Sequence, residues 1–164
     1  RREVAIKDAQ IKLKEVVPKF QEILGRSGHR PSVRYYEGDG GVREILEDVL
    51  KVCECSKEKV FRVYSSEGIR DLIASAWPAF KKTRVRKRVM VKAISIGKGG
   101  HTYGLDERKW LTKDDKAPSY TFLYPGKSAF VSVDEGRQLF GVIIEDDAIS
   151  ATQEMIFEAM WSKL

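Results

Sequence analysis

The chain has 164 residues, 42% of them apolar and 33% charged, with a net charge of +6. That length suits one domain with room for a helical appendage, and the apolar fraction suffices to build a core. No apolar run approaches the roughly 20 residues of a membrane span and no signal-peptide pattern opens the chain, so a cytoplasmic protein without membrane contact is expected.

The chain begins Arg1-Arg2 inside a helical pattern, which predicts further sequence upstream and hence a fragment of a larger protein. Ile6, Ala9, Leu13, Val16, Phe20 and Ile23 recur at alternating steps of three and four, the seam of a coiled coil. A seam this short rarely dimerises alone, and Pro18 kinks the helix or starts a fresh one. Residues 1–24 therefore read either as a dimerising connector or as an amphipathic helix packed on its own domain. Residues 25–31 (G-R-S-G-H-R-P) have a linker's composition, and residues 32–164 form the domain proper.

Within that domain Val33 to Tyr36 reads as a strand. Val42, Ile45, Leu46, Val49, Leu50 and Cys53 then keep the spacing of a helix with one buried face. Val60 to Tyr64 is the next strand, followed by helical spacing from Ile69 to Phe80 in which Pro78 opens a second helical piece. Val89 to Ile96 is a third strand. The order βαβαβ implies parallel strands joined by crossovers, which defines an α/β fold.

Gly97 to Ser119 is a long polar excursion carrying Gly97, Gly99, Gly100, His101, Tyr103 and Trp110. It reads equally as a lid or pocket wall and as a loose insertion. Tyr120 to Tyr124, Ser128 to Val133 and Leu139 to Glu145 are closely spaced strands whose P-G and D-E-G turns suit hairpins. Asp146 or Asp147 caps a last helix, whose apolar residues from Ile149 to Leu164 wrap more than half its circumference, so it is expected to be largely buried.

Chemistry is sparse. The stretch V-R-Y-Y-E-G-D-G-G (Val33 to Gly41) places glycines between strand and helix as nucleotide-binding turns do, but it lacks both G-x-G-x-x-G and G-K-[ST] spacing, and Asp39 repels phosphate. Glu37 at the carboxyl end of a parallel strand stands where open α/β sheets bind ligands. Tyr35 and Gly38 flank it. Ser65 and Ser66 also follow a strand, without G-x-S-x-G around them, and their alternative role is capping the helix that follows. His29 and His101 lack partners at metal or triad spacing, so neither zinc nor histidine catalysis is expected, and no cofactor is implied. Cys53 and Cys55 in C-E-C point apart on a helix and read as thiols rather than a disulfide or metal site.

Charge is uneven along the chain. The segment Lys81 to Lys92 holds seven basic residues and no acid, whereas Asp134 to Leu164 holds seven acidic and two basic residues. Lys81, Lys82, Arg84, Arg86, Lys87 and Arg88 are thus candidate nucleic-acid contacts, although no aromatic array accompanies them as in single-strand binders. A solvated helix face or a contact with the acidic third is the alternative.

Three motifs carry a family resemblance. P-S-V-R-Y-Y-E-G-D-G-G-V-R-E-I-L-E-D-V-L resembles the opening of the regulatory domain in TrmB-like transcriptional regulators. R-V-R-K-R-V-M-V-K-A-I is similar to their basic helix end running into a strand, and F-G-V-I-I-E-D-D-A-I-S-A-T-Q-E-M-I-F-E-A-M-W to their closing strand and helix. The three span most of residues 31–161 in the expected order.

The resemblance implies a phospholipase-D-like α/β domain with added antiparallel strands and a C-terminal helix, preceded by a coiled-coil connector. It further implies a homodimer, a small-molecule effector, and DNA bound through a winged helix-turn-helix domain upstream. The H-x-K-x(4)-D signature of catalytic phospholipase-D relatives is absent, so no enzymatic activity and no catalytic residue is expected. The β-rich subdomain that holds sugar in some members is absent too, and Arg88 stands where the family pattern has a glycine. A dimerisation module without ligand and a nucleic-acid-binding domain using residues 81–92 are the competing readings.

Overall fold

The computed structural model describes residues 31–114 and 117–164. The heptad positions Ile6, Ala9, Leu13, Val16, Phe20 and Ile23 and the linker up to Arg30 lie outside the described residues. Pro31–Leu164 forms one compact unit.

In chain order the elements are β1 (Ser32–Glu37), α1 (Gly38–Cys55), β2 (Val60–Ser66), α2 (Arg70–Ala76), α3 (Phe80–Arg86), β3 (Met90–Ile96), β4 (Asp106–Thr112), β5 (Ser119–Tyr124), β6 (Lys127–Val133), β7 (Leu139–Glu145) and α4 (Asp147–Trp161). One seven-stranded sheet runs β1-β7-β6-β5-β2-β3-β4. The neighbours β2, β3 and β4 are parallel, and every other pair is antiparallel.

Two expectations change here. The strands β1 and β2 are not neighbours, because the meander β5-β6-β7 folds back between them and places β1 at the far edge. The polar excursion also contains a strand, β4, paired in parallel with β3. Its sequence, D-E-R-K-W-L-T, hides that role because an edge strand does not need the apolar alternation of an interior one.

Side chains alternate between two faces. Phe61 and Val63 of β2, Val91 and Ala93 of β3 and Phe122 of β5 join the main core, which the apolar face of α1 covers. The intervening residues Tyr64, Ile94 and Leu123 meet Phe157 of α4 on the opposite face. Helix α1 lies close on β7 at Gly141, where an added Cβ would fall 2.6 Å from Ile45 Cδ1 and 2.9 Å from the Phe130 carbonyl oxygen.

Helix α4 corrects a third expectation. Asp146 caps it, accepting from the Ile149 amide at 2.8 Å. However, only Ser150 and Phe157 are buried, while Met155 and Ile156 are 68% and 50% exposed. Ion pairs flank the Phe157 contact: Arg62 pairs with Glu154 at 2.7 Å and with Glu158, and Lys92 reaches Glu158 at 3.4 Å.

Candidate ligand-binding site

Helices α2 and α3 bridge β2 to β3 without sealing against the sheet. The break between them falls at Trp77, where the backbone leaves helical angles before Pro78. Between these helices and the sheet lies a cavity of about 540 Å³, within the range of small-molecule sites.

The sheet supplies an apolar floor of Phe61, Val63, Val91 and Phe122. The helices contribute Arg70, Ile73, Trp77, Phe80 and Lys81, and β4 contributes Asp106 and Arg108. Gly100 and His101 close one side. The chain returns from β3 to β4 within residues 97–105 by taking left-handed backbone angles at Gly97, Gly99, Gly100 and Gly104. This tight return sets His101 beside the cavity.

Buried polar groups surround that floor. Ser65, 1% exposed, shares a 2.6 Å hydrogen bond with the Tyr120 hydroxyl. Arg70 donates from Nη1 to the Lys98 carbonyl at 2.9 Å and, through longer contacts, to Ser65. Arg108 donates from Nη1 to Ser95 Oγ at 2.8 Å and pairs with Asp106 Oδ2 at 3.4 Å. The side chains of Arg108 and Asp106 are only 10% and 5% exposed, yet Arg108 Nε and Asp106 Oδ1 have no hydrogen-bond partner among the described residues. Such orphan atoms are costly in a folded interior and call for an explanation.

Of the sequence-derived candidates, Ser65 and His101 line the cavity. Ser66 is buried, accepts a long hydrogen bond from the Gly68 amide and does not line it. Tyr35, Glu37 and Gly38 are not brought to this place, which corrects their grouping with Ser65: β7, β6 and β5 separate β1 from β2. Tyr35 is 60% exposed and faces Phe140, and Gly38 makes the left-handed corner that starts α1.

The basic run divides in the same way. Lys82, Arg86 and Arg88 are exposed, and Lys81 lines the cavity. Lys87 is paired with Glu54 of α1. Arg84 is corrected as a nucleic-acid contact because it is 2% exposed. Its guanidinium donates to the carbonyls of Val89, Tyr103, Gly104 and Leu105 at 2.6–2.9 Å, and burial lowers its pKa. Sequence reasoning missed Arg70, Tyr120, Asp106 and Arg108. The last two sit two apart in D-E-R, the alternation of one strand face, and that was the only available signal.

No protein-family model matches this chain, and no curated protein matches it. Solved structures do. NucT from Helicobacter pylori matches with a TM-score of 0.53 and 12% identity, over 81% of this chain and 97% of NucT. TrmBL2, an archaeal chromatin protein with a novel mode of DNA binding, matches with a TM-score of 0.52 and 15% identity, over 99% of this chain. The fold is phospholipase-D-like. At these identities the likeness is one of fold, and the chain spans 64% of the length of TrmBL2.

NucT is a nuclease of this fold. The expectation of no enzymatic activity is therefore corrected: this neighbour, at 12% identity, points toward enzymatic activity. Among the described residues no helix is long and apolar enough to cross a membrane, and no cluster of three or more His, Cys, Asp or Glu side chains could hold a metal ion.

Proposed function

We propose that the chain is the effector-sensing part of a TrmB-like transcriptional regulator, with the cavity under α2 and α3 as its ligand site. The carrying observation is that cavity itself, whose apolar floor is edged by Arg70, Lys81, Asp106 and Arg108. The three ordered sequence motifs and the fold shared with TrmBL2 support the family reading. On this reading DNA is bound through an upstream domain, and the seam Ile6 to Ile23 joins two copies.

The mechanism is a population shift. A ligand seated between the sheet and α2–α3 favours the arrangement in which these helices and residues 97–105 close around it, and it shifts the equilibrium only by its differential affinity for that state. Thermal-shift and calorimetric screening of metabolites against the full chain tests the reading. A binder whose affinity falls on Trp77→Ala supports it. A full-length regulator that responds in cells while the domain binds no metabolite sinks it.

A second reading, phosphodiester hydrolysis in the same cavity, is favoured by the fold shared with the nuclease NucT. His101 is the one described histidine and lines the cavity. Release of nitrophenol from bis(4-nitrophenyl) phosphate, lost in His101→Ala, would establish hydrolysis. Turnover indifferent to His101→Ala would remove it.

A further inference from the structure

We infer that the end of the domain where β2 and β3 begin is a contact surface for the phosphate backbone of duplex DNA, gripped by Lys59, Lys82, Arg86 and Arg88. It does not depend on what the cavity binds, and it adds a sequence-independent hold to the DNA contact assigned above to an upstream domain.

Short segments from different parts of the chain meet at this end. Lys59 and Arg88 stand just before β2 and β3. Val60 pairs with Met90, and the Met90 amide donates to the Lys59 carbonyl at 2.8 Å, so the two corners lie side by side. Helix α3 ends at the same place, where the amides of Arg88 and Val89 donate to the carbonyls of Val85 and Arg84. Lys82 and Arg86 are exposed one turn apart on α3, on a face turned away from the buried Arg84.

These cations are left unpaired. Elsewhere the fold joins Arg43 to Glu47, Arg62 to Glu154 and Lys127 to Asp48. Lys59, Lys82, Arg86 and Arg88 have neither an ion pair nor a side-chain hydrogen bond among the described residues. Glu54, which reaches this end from α1, is taken by Lys87, and Glu58 is the only acid within residues 56–59 and 80–89.

Local structure would be better served without the four charges. Lys59 and Arg88 have φ of 49° and 57°, the left-handed region that favours glycine, and Arg88 follows α3 at the position where glycine commonly ends a helix. Lys82 sits in the first turn of α3, whose free amides favour negative charge, and it repels Arg86 one turn on. Backbone strain and like-charge repulsion thus gather at one place with no compensating partner in the fold, as they do at functional surfaces.

A dense array of phosphates supplies the missing partner. Each strand of duplex DNA offers one phosphate per roughly 3.4 Å of helix axis, and each one neutralised releases counterions. A membrane is a poorer match, because an interfacial site sets apolar side chains among its cations, and none of the exposed large apolar residues lies within 56–59 or 80–89. The same lack leaves unstacked bases without a platform, which favours a duplex over a single strand.

Fluorescence anisotropy of a labelled duplex of about 20 base pairs, titrated with the full chain between about 50 and 200 mM salt, tests this. A variant combining Lys82→Gln, Arg86→Gln and Arg88→Gly is compared with one combining Lys98→Gln, Arg137→Gln and Lys163→Gln, which removes the same charge from exposed positions elsewhere. The first is expected to bind at least about tenfold more weakly at the lower salt and to flatten the slope of log affinity against log salt by roughly 2 to 3, while the second stays within about threefold of the wild type. Lys82→Gln with Arg86→Gln, which leaves both left-handed corners intact, should flatten the slope by about 2, so a folding defect at Arg88 does not blunt the test.

The inference is overturned if the full chain does not bind the duplex or if the two triple variants weaken binding equally. It is also overturned if the first variant loses more affinity for poly-glutamate or for phosphatidylserine vesicles than for the duplex, which would assign the surface to an acidic protein or a membrane.

Discussion

Arg88 has a positive φ of 57° in the turn between α3 and β3. A side chain in this left-handed region costs of order 1–3 kcal/mol, partly offset in a glycine variant by the greater freedom of glycine in the unfolded chain. The backbone here takes the conformation that glycine favours. Arg88→Gly is expected to stabilise the fold by about 1 kcal/mol, read as a rise of a few degrees in Tm; an unchanged or lowered Tm would show that the arginine makes good its strain. Glu158 offers a second test. Burial alone would raise its pKa, but hydrogen bonding and charge from Arg62, joined by Lys92, outweigh that and hold it below the usual carboxylate range. A lowered folded-state pKa means stability that is present above the unfolded value of about 4.3 and lost as pH falls through the folded one. The stability gap between the wild type and Glu158→Gln should therefore be full above about pH 5 and close as the solution is acidified below that value. Urea melts across this range would refute the linkage if the gap stayed constant. The effect is modest because the Glu158 side chain is 37% exposed.

At the scale of elements, Arg84 decides how the β3–β4 connection is held. Its four carbonyl acceptors come from Val89, just before β3, and from residues 103–105, where Gly104 and Leu105 both have positive φ. Arg84→Met keeps the apolar stem but leaves those carbonyls without their donor, at a cost of roughly 3 kcal/mol. Amide hydrogen exchange in residues 100–106 should accelerate more than in α1, whereas uniform acceleration would show global loss only. The same residue marks the boundary of what the sequence reveals. Its basic neighbours made Arg84 look like part of a charged surface, because a one-dimensional pattern cannot distinguish an arginine that faces solvent from one that ties down backbone carbonyls. Helix α1 was legible because its apolar positions keep helical spacing against a single core face. Strand β4 was not, since its pairing with β3 is a contact between distant segments and its own composition is charged. The cavity fared similarly: Ser65 and His101 could be picked as polar residues after a strand and in a glycine-rich loop, but Arg108 and Asp106 become notable only when burial leaves two of their atoms unpartnered.

At the scale of the whole molecule, the regulatory reading makes a demand that the domain alone does not meet. On that reading, the proposed route by which a ligand in the cavity alters DNA binding passes to a second copy through the seam from Ile6 to Ile23. A seam of this length is marginal by itself, since isolated short helices are weakly stable in water. Any dimer it forms must therefore draw support from sequence upstream or from the folded domain. The exposed apolar residues Met155 and Ile156 on α4 are a candidate for the latter contribution. Sedimentation equilibrium of the full chain and of a chain lacking residues 1–24 separates the two sources. If the seam supplies the association, the full chain is expected to dimerise at least about tenfold more tightly than the truncated one, and Leu13→Asp should match the truncation. A truncated chain that dimerises equally well would move the interface to the α/β domain, and Met155→Glu would then be the variant that dissociates it.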